Sequence, residues 1–193
     1  MALNAYARSA ADAVLRPVVA GLVKLGATAN GLTLTGVLIV VAGSGVIATG
    51  ERQIGAVVVA LGAVLDALDG GVARARDTQT AYGAFLDSVT DRIADMAVFG
   101  AVAWLMRADA TLFAVTLVAL GAAQVTSYMR AKAESLGWNA TVGVIERAER
   151  IAILLVGVCF GALLPAALWI LAVGGLVTVA QRMRAVRRQA SAL

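Results

Sequence analysis

Four aspartates are the residues of this chain best suited to do chemistry. They occur within residues 66–91, DALDGGVARARDTQTAYGAFLDSVTD, in an otherwise strongly apolar sequence. On a helix that turns about 100° per residue, Asp66 and Asp69 share one face, and Asp87 and Asp91 share another. Two facing helices would therefore direct four carboxylates at one point.

The charge of these carboxylates indicates a bound metal. One ionised carboxylate at bilayer depth costs about 3 kcal/mol on insertion scales, so four of them need a cation to neutralise them. Oxygen ligands without thiolate or imidazole suit a hard divalent cation, and we expect two Mg²⁺ ions, with Mn²⁺ also accepted. The alternative is that the acids are helix caps or surface charges. That would explain one or two aspartates, but not four beside Gly70, Gly71 and Gly83.

The elements that hold these acids are predicted to be membrane helices. The chain has 193 residues, of which 61% are hydrophobic, and this is typical of an integral membrane protein with a single domain over residues 1–193. The predicted fold is all-α, with a bundle of six transmembrane helices within residues 31–188. Their approximate bounds are 31–50, 53–75, 81–107, 110–135, 144–166 and 167–188.

The basic residues predict the orientation of this bundle. If the N-terminus is cytoplasmic, only Arg52 and Arg107 of the 16 Lys and Arg residues fall outside the cell. An excess of Lys and Arg on the cytoplasmic side is the usual arrangement, and here it requires an even number of spans. The four aspartates then lie near the cytoplasmic face of the plasma membrane, with both termini on the same side.

The segment 2–24 is predicted to be an amphipathic helix that lies in the membrane interface. Asn4, Arg8, Asp12 and Arg16 recur every four residues, opposite a stripe of apolar residues. A polar stripe of this kind places one side of a helix in the headgroup region and the other in the acyl chains.

The cysteine and histidine content limits the chemistry, and one further aspartate has an open role. The one cysteine, Cys159, lies in an apolar run, so a disulfide and a thiolate metal site are excluded. The chain has no histidine, and a general base must therefore be a carboxylate, a lysine or a water. Asp95 continues the face of Asp87 and Asp91 one turn further, where it either supports the metal ligands or pairs with a basic residue.

The aspartates also form part of a longer pattern. Residues 66–91 follow D-x2-D-G-x2-A-R-x8-G-x3-D-x3-D, which resembles the signature of the CDP-alcohol phosphatidyltransferase family at every defined position. That family has six transmembrane helices preceded by an interfacial helix, so the resemblance extends over the whole chain. It implies that the four aspartates hold the metals, that Asp91 is the general base, and that an alcohol displaces CMP from a CDP-linked lipid.

The resemblance also implies a binding site for CDP-diacylglycerol. Small residues in it let the nucleotide approach the backbone, and an arginine pairs with phosphate oxygens. The implied residues are Ala29, Asn30, Gly31, Leu32, Thr33, Gly70, Ala73, Arg74, Thr80 and Gly83. Two alternatives stay open: Arg74 is a membrane anchor, and Asn30 and Thr33 are helix caps.

A second cluster of charged residues indicates which alcohol is the acceptor. The segments SYMRAKAE and GVIERAER resemble the actinobacterial phosphatidylinositol phosphate synthases, in which a basic pocket receives inositol phosphate. The resemblance implies that the acceptor is 1D-myo-inositol 3-phosphate. The residues expected to bind its phosphate are Arg130, Lys132, Arg147, Arg150 and Arg182.

Other functions and partners follow from the same features. Glycerol 3-phosphate is the nearest alternative acceptor, since it also needs basic residues. A divalent-cation transporter is the alternative from another class, because acid-lined sites also mark ion pathways. The resemblance implies a homodimer, and the net charge of +4 favours anionic membrane lipids over nucleic acid. The richness in Ala, Gly and Arg suggests a bacterial source.

Overall fold

A computed structural model describes residues 16–191 of the chain. Within that range every regular element is a helix, which confirms the predicted all-α class. The helices are α1 (16–24), α2 (Ala29–Ala48), α3 (Arg52–Arg76), α4 (Ala81–Leu105), α5 (Ala110–Ser135), α6 (Arg147–Cys159) and α7 (Leu164–Ala190), with a 3-10 turn at Gly161–Leu163 before α7.

Among the described residues, four helical segments are long and apolar enough to cross a membrane, and each overlaps at least one of the predicted spans. They are Ala29–Ala48, Arg52–Arg76, Ala110–Ser135 and Gly161–Ala190. Helix α4 has 25 residues but carries several charged side chains. Helix α6 has 13 residues, about 20 Å at 1.5 Å per residue, which is less than the hydrocarbon thickness of about 30 Å. Six spans therefore remain a prediction.

The last two helices differ from the predicted bounds of 144–166 and 167–188. Helix α6 ends at Cys159, and α7 begins at Leu164 with a proline in its first turn. Proline is suited to that position because its missing N–H would have no partner inside the helix. The apolar run continues through the break, so hydropathy alone did not reveal where one helix ends and the next begins.

Most of the predicted interfacial helix, residues 2–15, lies outside the described residues, and residues 16–24 are helical. The chain divides into two compact units. Unit 1 comprises Met1–Ala42 and Val58–Ala94, and unit 2 comprises Gly43–Val57 and Asp95–Leu193.

In unit 1, glycines bring α2 and α3 into backbone contact. A Cβ atom at position 62 would lie 2.7 Å from the Gly36 carbonyl oxygen, and one at position 36 would lie 3.2 Å from the Asp66 amide nitrogen. Small residues allow this close approach between membrane helices. Helix α1 packs on α3 in the same way, since a Cβ atom at Gly71 would lie 2.9 Å from Val19 Cγ2.

In unit 2, helices α5 and α6 both pack on α7. The core between α6 and α7 contains fully buried Leu154, Val158 and Leu168. Side chains at the N-termini of α5 and α6 cap these two helices. Asp109 accepts hydrogen bonds from the Thr111 and Leu112 amides, each at 3.0 Å, which satisfies donors that have no partner inside the helix.

Candidate metal and nucleotide site

Three of the four predicted metal ligands converge in unit 1. Asp66 and Asp69 lie on the second half of α3, and Asp87 lies on the second turn of α4. One carboxylate oxygen from each residue lies within 4.8 Å of the others. Asp66 is 8% exposed, and Asp69 and Asp87 are partly buried. The structure therefore brings these three predicted ligands together.

A residue of α2 holds one of these carboxylates. The Thr33 hydroxyl donates a hydrogen bond to Asp69 Oδ2, and Thr33 is buried. A hydrogen bond to a ligating carboxylate fixes its orientation. The sequence predicted Thr33 as a donor-site residue or a helix cap, and its contact with Asp69 joins α2 to α3.

The fourth predicted ligand, Asp91, lies one turn beyond Asp87 on α4. It does not belong to the group of carboxylates that converge among the described residues. Its role as a metal ligand and general base therefore stays a prediction.

The chemistry of the converging donors fits a divalent cation. All three candidate ligands are carboxylates, and ionised carboxylates this close to one another repel, which a bound cation would offset. Hard cations such as Mg²⁺ and Mn²⁺ prefer oxygen ligands of this kind. Asp66, Asp69 and Asp87 are thus able to hold such an ion.

A cleft of about 180 Å³ opens beside these acids. Seven of the ten residues predicted to bind the nucleotide lipid line it, namely Ala29, Asn30, Thr33, Gly70, Ala73, Thr80 and Gly83. Residues 78, 79 and 84 also line it and were not predicted. They lie in and after the short connection from α3 to α4, and their types carry no signal of a binding site.

Two threonines cap the helices that border the cleft. Thr28 Oγ1 accepts from the Gly31 amide at 3.2 Å, and Thr80 Oγ1 accepts from the Gly83 amide at 3.0 Å. Thr28 rather than Asn30 thus caps α2. A Cβ atom at position 83 would lie 3.2 Å from Thr80 Oγ1 and 3.3 Å from Asn30 Oδ1, so glycine keeps the cleft open between them.

The remaining predicted donor residues do not line this cleft. Leu32 is buried, and Gly31 lies in the first turn of α2. Arg74 lines a neighbouring cavity of about 410 Å³ between α1 and α3, together with Arg16. Arg74 Nη1 also lies 3.4 Å from the position of a Cβ atom on Gly70, so its guanidinium passes close to the cleft wall.

The basic residues predicted to bind the acceptor lie in unit 2, where their side chains have four different local environments. Arg150 Nη2 donates to Asp95 Oδ2 at 2.6 Å, and Arg147 Nε lies 3.9 Å from Asp95 Oδ1. Arg130 pairs with Glu134 at 2.9 Å.

Lys132 is exposed in the last turn of α5. Arg182 is buried and donates to two backbone carbonyls, Val142 O at 2.9 Å and Thr126 O. The structure thus gathers Arg147 and Arg150 around Asp95, which the sequence had not assigned to any site.

This chain is similar to proteins of known family. A family model described as CDP-alcohol phosphatidyltransferase matches residues 27–180. The phosphatidylinositol phosphate synthase of Streptomyces avermitilis is 41% identical over 205 residues, covering 98% of this chain and 84% of the relative.

Two solved structures of the Mycobacterium tuberculosis phosphatidylinositol phosphate synthase are also similar. The structure with CDP-DAG bound has a TM-score of 0.82 at 36% identity, and it covers 88% of this chain and 92% of the other. The structure in complex with manganese and citrate has a TM-score of 0.83 at 37% identity, with 89% and 88% covered. The matched signature, the converging acids and these similarities together place this chain in the CDP-alcohol phosphatidyltransferase family.

Proposed function

We propose that this chain transfers the phosphatidyl group of CDP-diacylglycerol to 1D-myo-inositol 3-phosphate, forming phosphatidylinositol phosphate and releasing CMP. The observation that carries the proposal is the group formed by Asp66, Asp69 and Asp87 beside a cleft. Relatives named phosphatidylinositol phosphate synthase support the choice of acceptor, since one of them covers nearly the whole chain at 41% identity.

The bonds that change are those at one phosphorus atom. An acceptor hydroxyl attacks the phosphorus that carries diacylglycerol, the bond from that phosphorus to the CMP oxygen breaks, and the hydroxyl proton goes to a base. We assign the base to Asp91, because the family pattern gives this role to the last aspartate and the chain has no histidine. A carboxylate near bound cations is a weak base, so a well-aligned hydroxyl is needed.

The acids of the site are proposed to hold two Mg²⁺ ions, with Mn²⁺ as a substitute. Such ions neutralise a diphosphate and stabilise the charge on a leaving phosphate. Asp66, Asp69, Asp87 and Asp91 would be the ligands, and Thr33 would keep Asp69 in a ligating orientation. A manganese complex is known for the similar M. tuberculosis synthase, which supports the use of divalent metal.

The cleft is proposed to receive the nucleotide of CDP-diacylglycerol. Gly70, Ala73 and Gly83 present little side chain on its wall, so a flat ring and a diphosphate can approach the backbone. Asn30 offers an amide that can pair with polar edges of a base. Gly31 and Leu32 would shape the start of α2, and Arg74 would contact phosphate oxygens through its planar guanidinium.

Basic residues are proposed to bind the acceptor phosphate. The candidates in unit 2 are Arg130, Lys132, Arg147, Arg150 and Arg182. Arg147 and Arg150 lie in the first turn of α6 and therefore occupy the same helix face. An acceptor without a phosphate would leave this positive charge without an anion.

The proposal also includes the topology of the chain in the membrane. We infer six transmembrane helices, an interfacial helix over 2–24, cytoplasmic termini and an active site at the cytoplasmic face of the plasma membrane. Four apolar helices of spanning length support a membrane protein, and the distribution of Lys and Arg supports the orientation. We also infer a homodimer, as is general in the family, which cross-linking in liposomes would test.

A single assay tests the proposal. Purified protein is supplied with CDP-diacylglycerol and Mg²⁺, and CMP release is measured with inositol phosphate, glycerol 3-phosphate or inositol offered separately. We expect release with inositol phosphate and its loss after EDTA treatment or in Asp91→Asn. Release with glycerol 3-phosphate alone would reject the acceptor, and Mn²⁺ flux into liposomes without CMP release would instead indicate a transporter.

A further inference from the structure

A cavity of about 310 Å³ lies between α7 and the connection that joins α5 to α6, residues 136–146. The residues that line it are Val142, Gly143, Gln181, Arg184, Ala185 and Arg188. The four residues from α7 recur at intervals of three and four, so their side chains share one face of the helix. Two of the six lining residues are arginines and none is acidic. The cavity is therefore suited to an anion.

Hydrogen bonds hold the connection against α7. The Gln189 side chain accepts from the Asn139 amide at 2.8 Å and donates to the Asn139 carbonyl at 2.6 Å. Arg182 Nε donates to the Val142 carbonyl at 2.9 Å. A Cβ atom on Gly143 would lie 2.5 Å from a side-chain carbon of α7, so the two elements are in close contact. Both walls of the cavity are therefore held in place, as in a preformed ligand site.

The two arginines of the cavity carry charge that the protein itself does not neutralise. Arg184 and Arg188 are exposed and lie one turn apart on α7, where like charges repel each other. Neither side chain has an ion pair or a hydrogen bond with any other residue in the described part of the chain. An anion bound in the cavity would offset the repulsion and use these donors.

The surroundings of the cavity favour a lipid over a free anion. Helix α7 and the turn before it form an apolar segment of spanning length, Gly161–Ala190, and both arginines lie in its last turns. Basic pockets beside membrane helices bind the headgroups of anionic lipids. The connection also carries two exposed apolar side chains, Val142 at 40% and Val144 at 57%. These side chains can contact the apolar part of a lipid, whereas a free anion would gain nothing from them.

We infer that this cavity binds the phosphate of an anionic phospholipid headgroup. Arg184 and Arg188 pair with the phosphate oxygens, which the planar guanidinium group suits. The cavity shares no lining residue with the metal and nucleotide site or with the residues predicted to bind the acceptor. The inference therefore goes beyond the proposed function and does not depend on it.

Native mass spectrometry of the full chain in a nonionic detergent tests the inference by counting bound lipids. Phosphatidylglycerol should bind more tightly than phosphatidylcholine, which has no net charge. We expect the apparent affinity for phosphatidylglycerol to fall about fivefold in Arg184→Gln and in Arg188→Gln, the effect typical of one arginine near an anionic lipid surface. The matched control is Arg187→Gln, which removes the same charge from the same turn but does not line the cavity. An equal loss in all three variants would overturn the inference, because it would indicate general attraction to a basic helix end.

A variant that keeps the charge tests the cavity itself. Ala185→Leu places a larger side chain among the lining residues and should weaken the binding of phosphatidylglycerol without altering the net charge. Ala180→Leu, at an exposed position of α7 outside the cavity, should bind as the wild type does. Thermal unfolding in the same detergent checks that both variants are folded. Wild-type binding by folded Ala185→Leu would contradict a site in this cavity.

Competition distinguishes a lipid from a free phosphate. Inorganic phosphate and glycerol 3-phosphate are each added to the complex with phosphatidylglycerol, at the concentration of the lipid. We expect the lipid to stay bound, and its displacement would show that the cavity takes free anions. All these measurements are made without CDP-diacylglycerol or an acceptor alcohol. A protein that released no CMP would therefore refute the proposed function and leave the lipid site standing.

Discussion

The Thr33 hydroxyl on α2 donates a hydrogen bond to the Asp69 carboxylate on α3. We predict that Thr33→Val weakens metal binding, because loss of such a supporting hydrogen bond typically lowers metal affinity about 10- to 100-fold. The measurement is the Mn²⁺ concentration that gives half-maximal CMP release. Thr33→Ser keeps the hydroxyl and should behave like the wild type. An unchanged Mn²⁺ requirement in Thr33→Val would contradict this role.

Asp69→Asn and Asp87→Asn should each abolish metal-dependent CMP release. Replacing a carboxylate by an amide removes a charged ligand from the group, and we expect a loss of at least about 100-fold. Mn²⁺ binding followed by electron paramagnetic resonance checks the cause. The control is Asp77→Asn: this exposed residue lies outside the group and has φ of 53°, a conformation that asparagine also tolerates. Retained Mn²⁺ binding in both site variants would argue against the metal site.

Gly83→Val should raise the KM for CDP-diacylglycerol. Even a Cβ atom at this position would lie 3.2 Å from Thr80 Oγ1, and the larger side chain would occupy the cleft. Gly100→Ala on the same helix is the control, because nothing lies within 4 Å of its Cβ position. That substitution should be neutral or stabilise the helix by up to about 1 kcal/mol. A wild-type KM in Gly83→Val would show that the nucleotide binds elsewhere.

Gly62→Ala should destabilise the contact between α2 and α3. Its Cβ atom would lie 2.7 Å from the Gly36 carbonyl oxygen, and overpacking of this kind costs about 1–3 kcal/mol. Thermal unfolding in detergent measures the change. Gly45→Ala, where nothing lies within 4 Å, should unfold at the wild-type temperature or above it. Equal unfolding temperatures for the two variants would contradict the predicted clash.

Helix periodicity predicted that Asp66 and Asp69 share one face of a helix, because residues three or four apart lie side by side. The meeting of Asp87 with this pair needed the further assumption that α3 and α4 face each other, and the three carboxylates do lie together. The bounds of α2 to α5 were also predicted closely, since charged residues or glycines interrupt the apolar runs there. Nothing local marks the break after Cys159, where apolar residues continue on both sides.

Contacts between distant residues could not be predicted. Thr33 and Asp69 are far apart in sequence, and the sequence alone offered several partners for each. Asp95 was likewise assigned two possible roles, and its contact with Arg150 depends on how α6 packs. The cap of α2 illustrates the same limit at short range, since Thr28 and Asn30 are both suitable capping residues and only the backbone path selects Thr28.

The backbone of Asp66 lies against Gly36, where an added methyl group would come 3.2 Å from the Asp66 amide nitrogen. A substitution at residue 36 would therefore displace an acid of the site through the main chain. In a mutational scan, the resulting inactive protein would be easy to misread as evidence of a catalytic role. Gly36 has no side chain, and it contributes by leaving space for the backbone of Asp66.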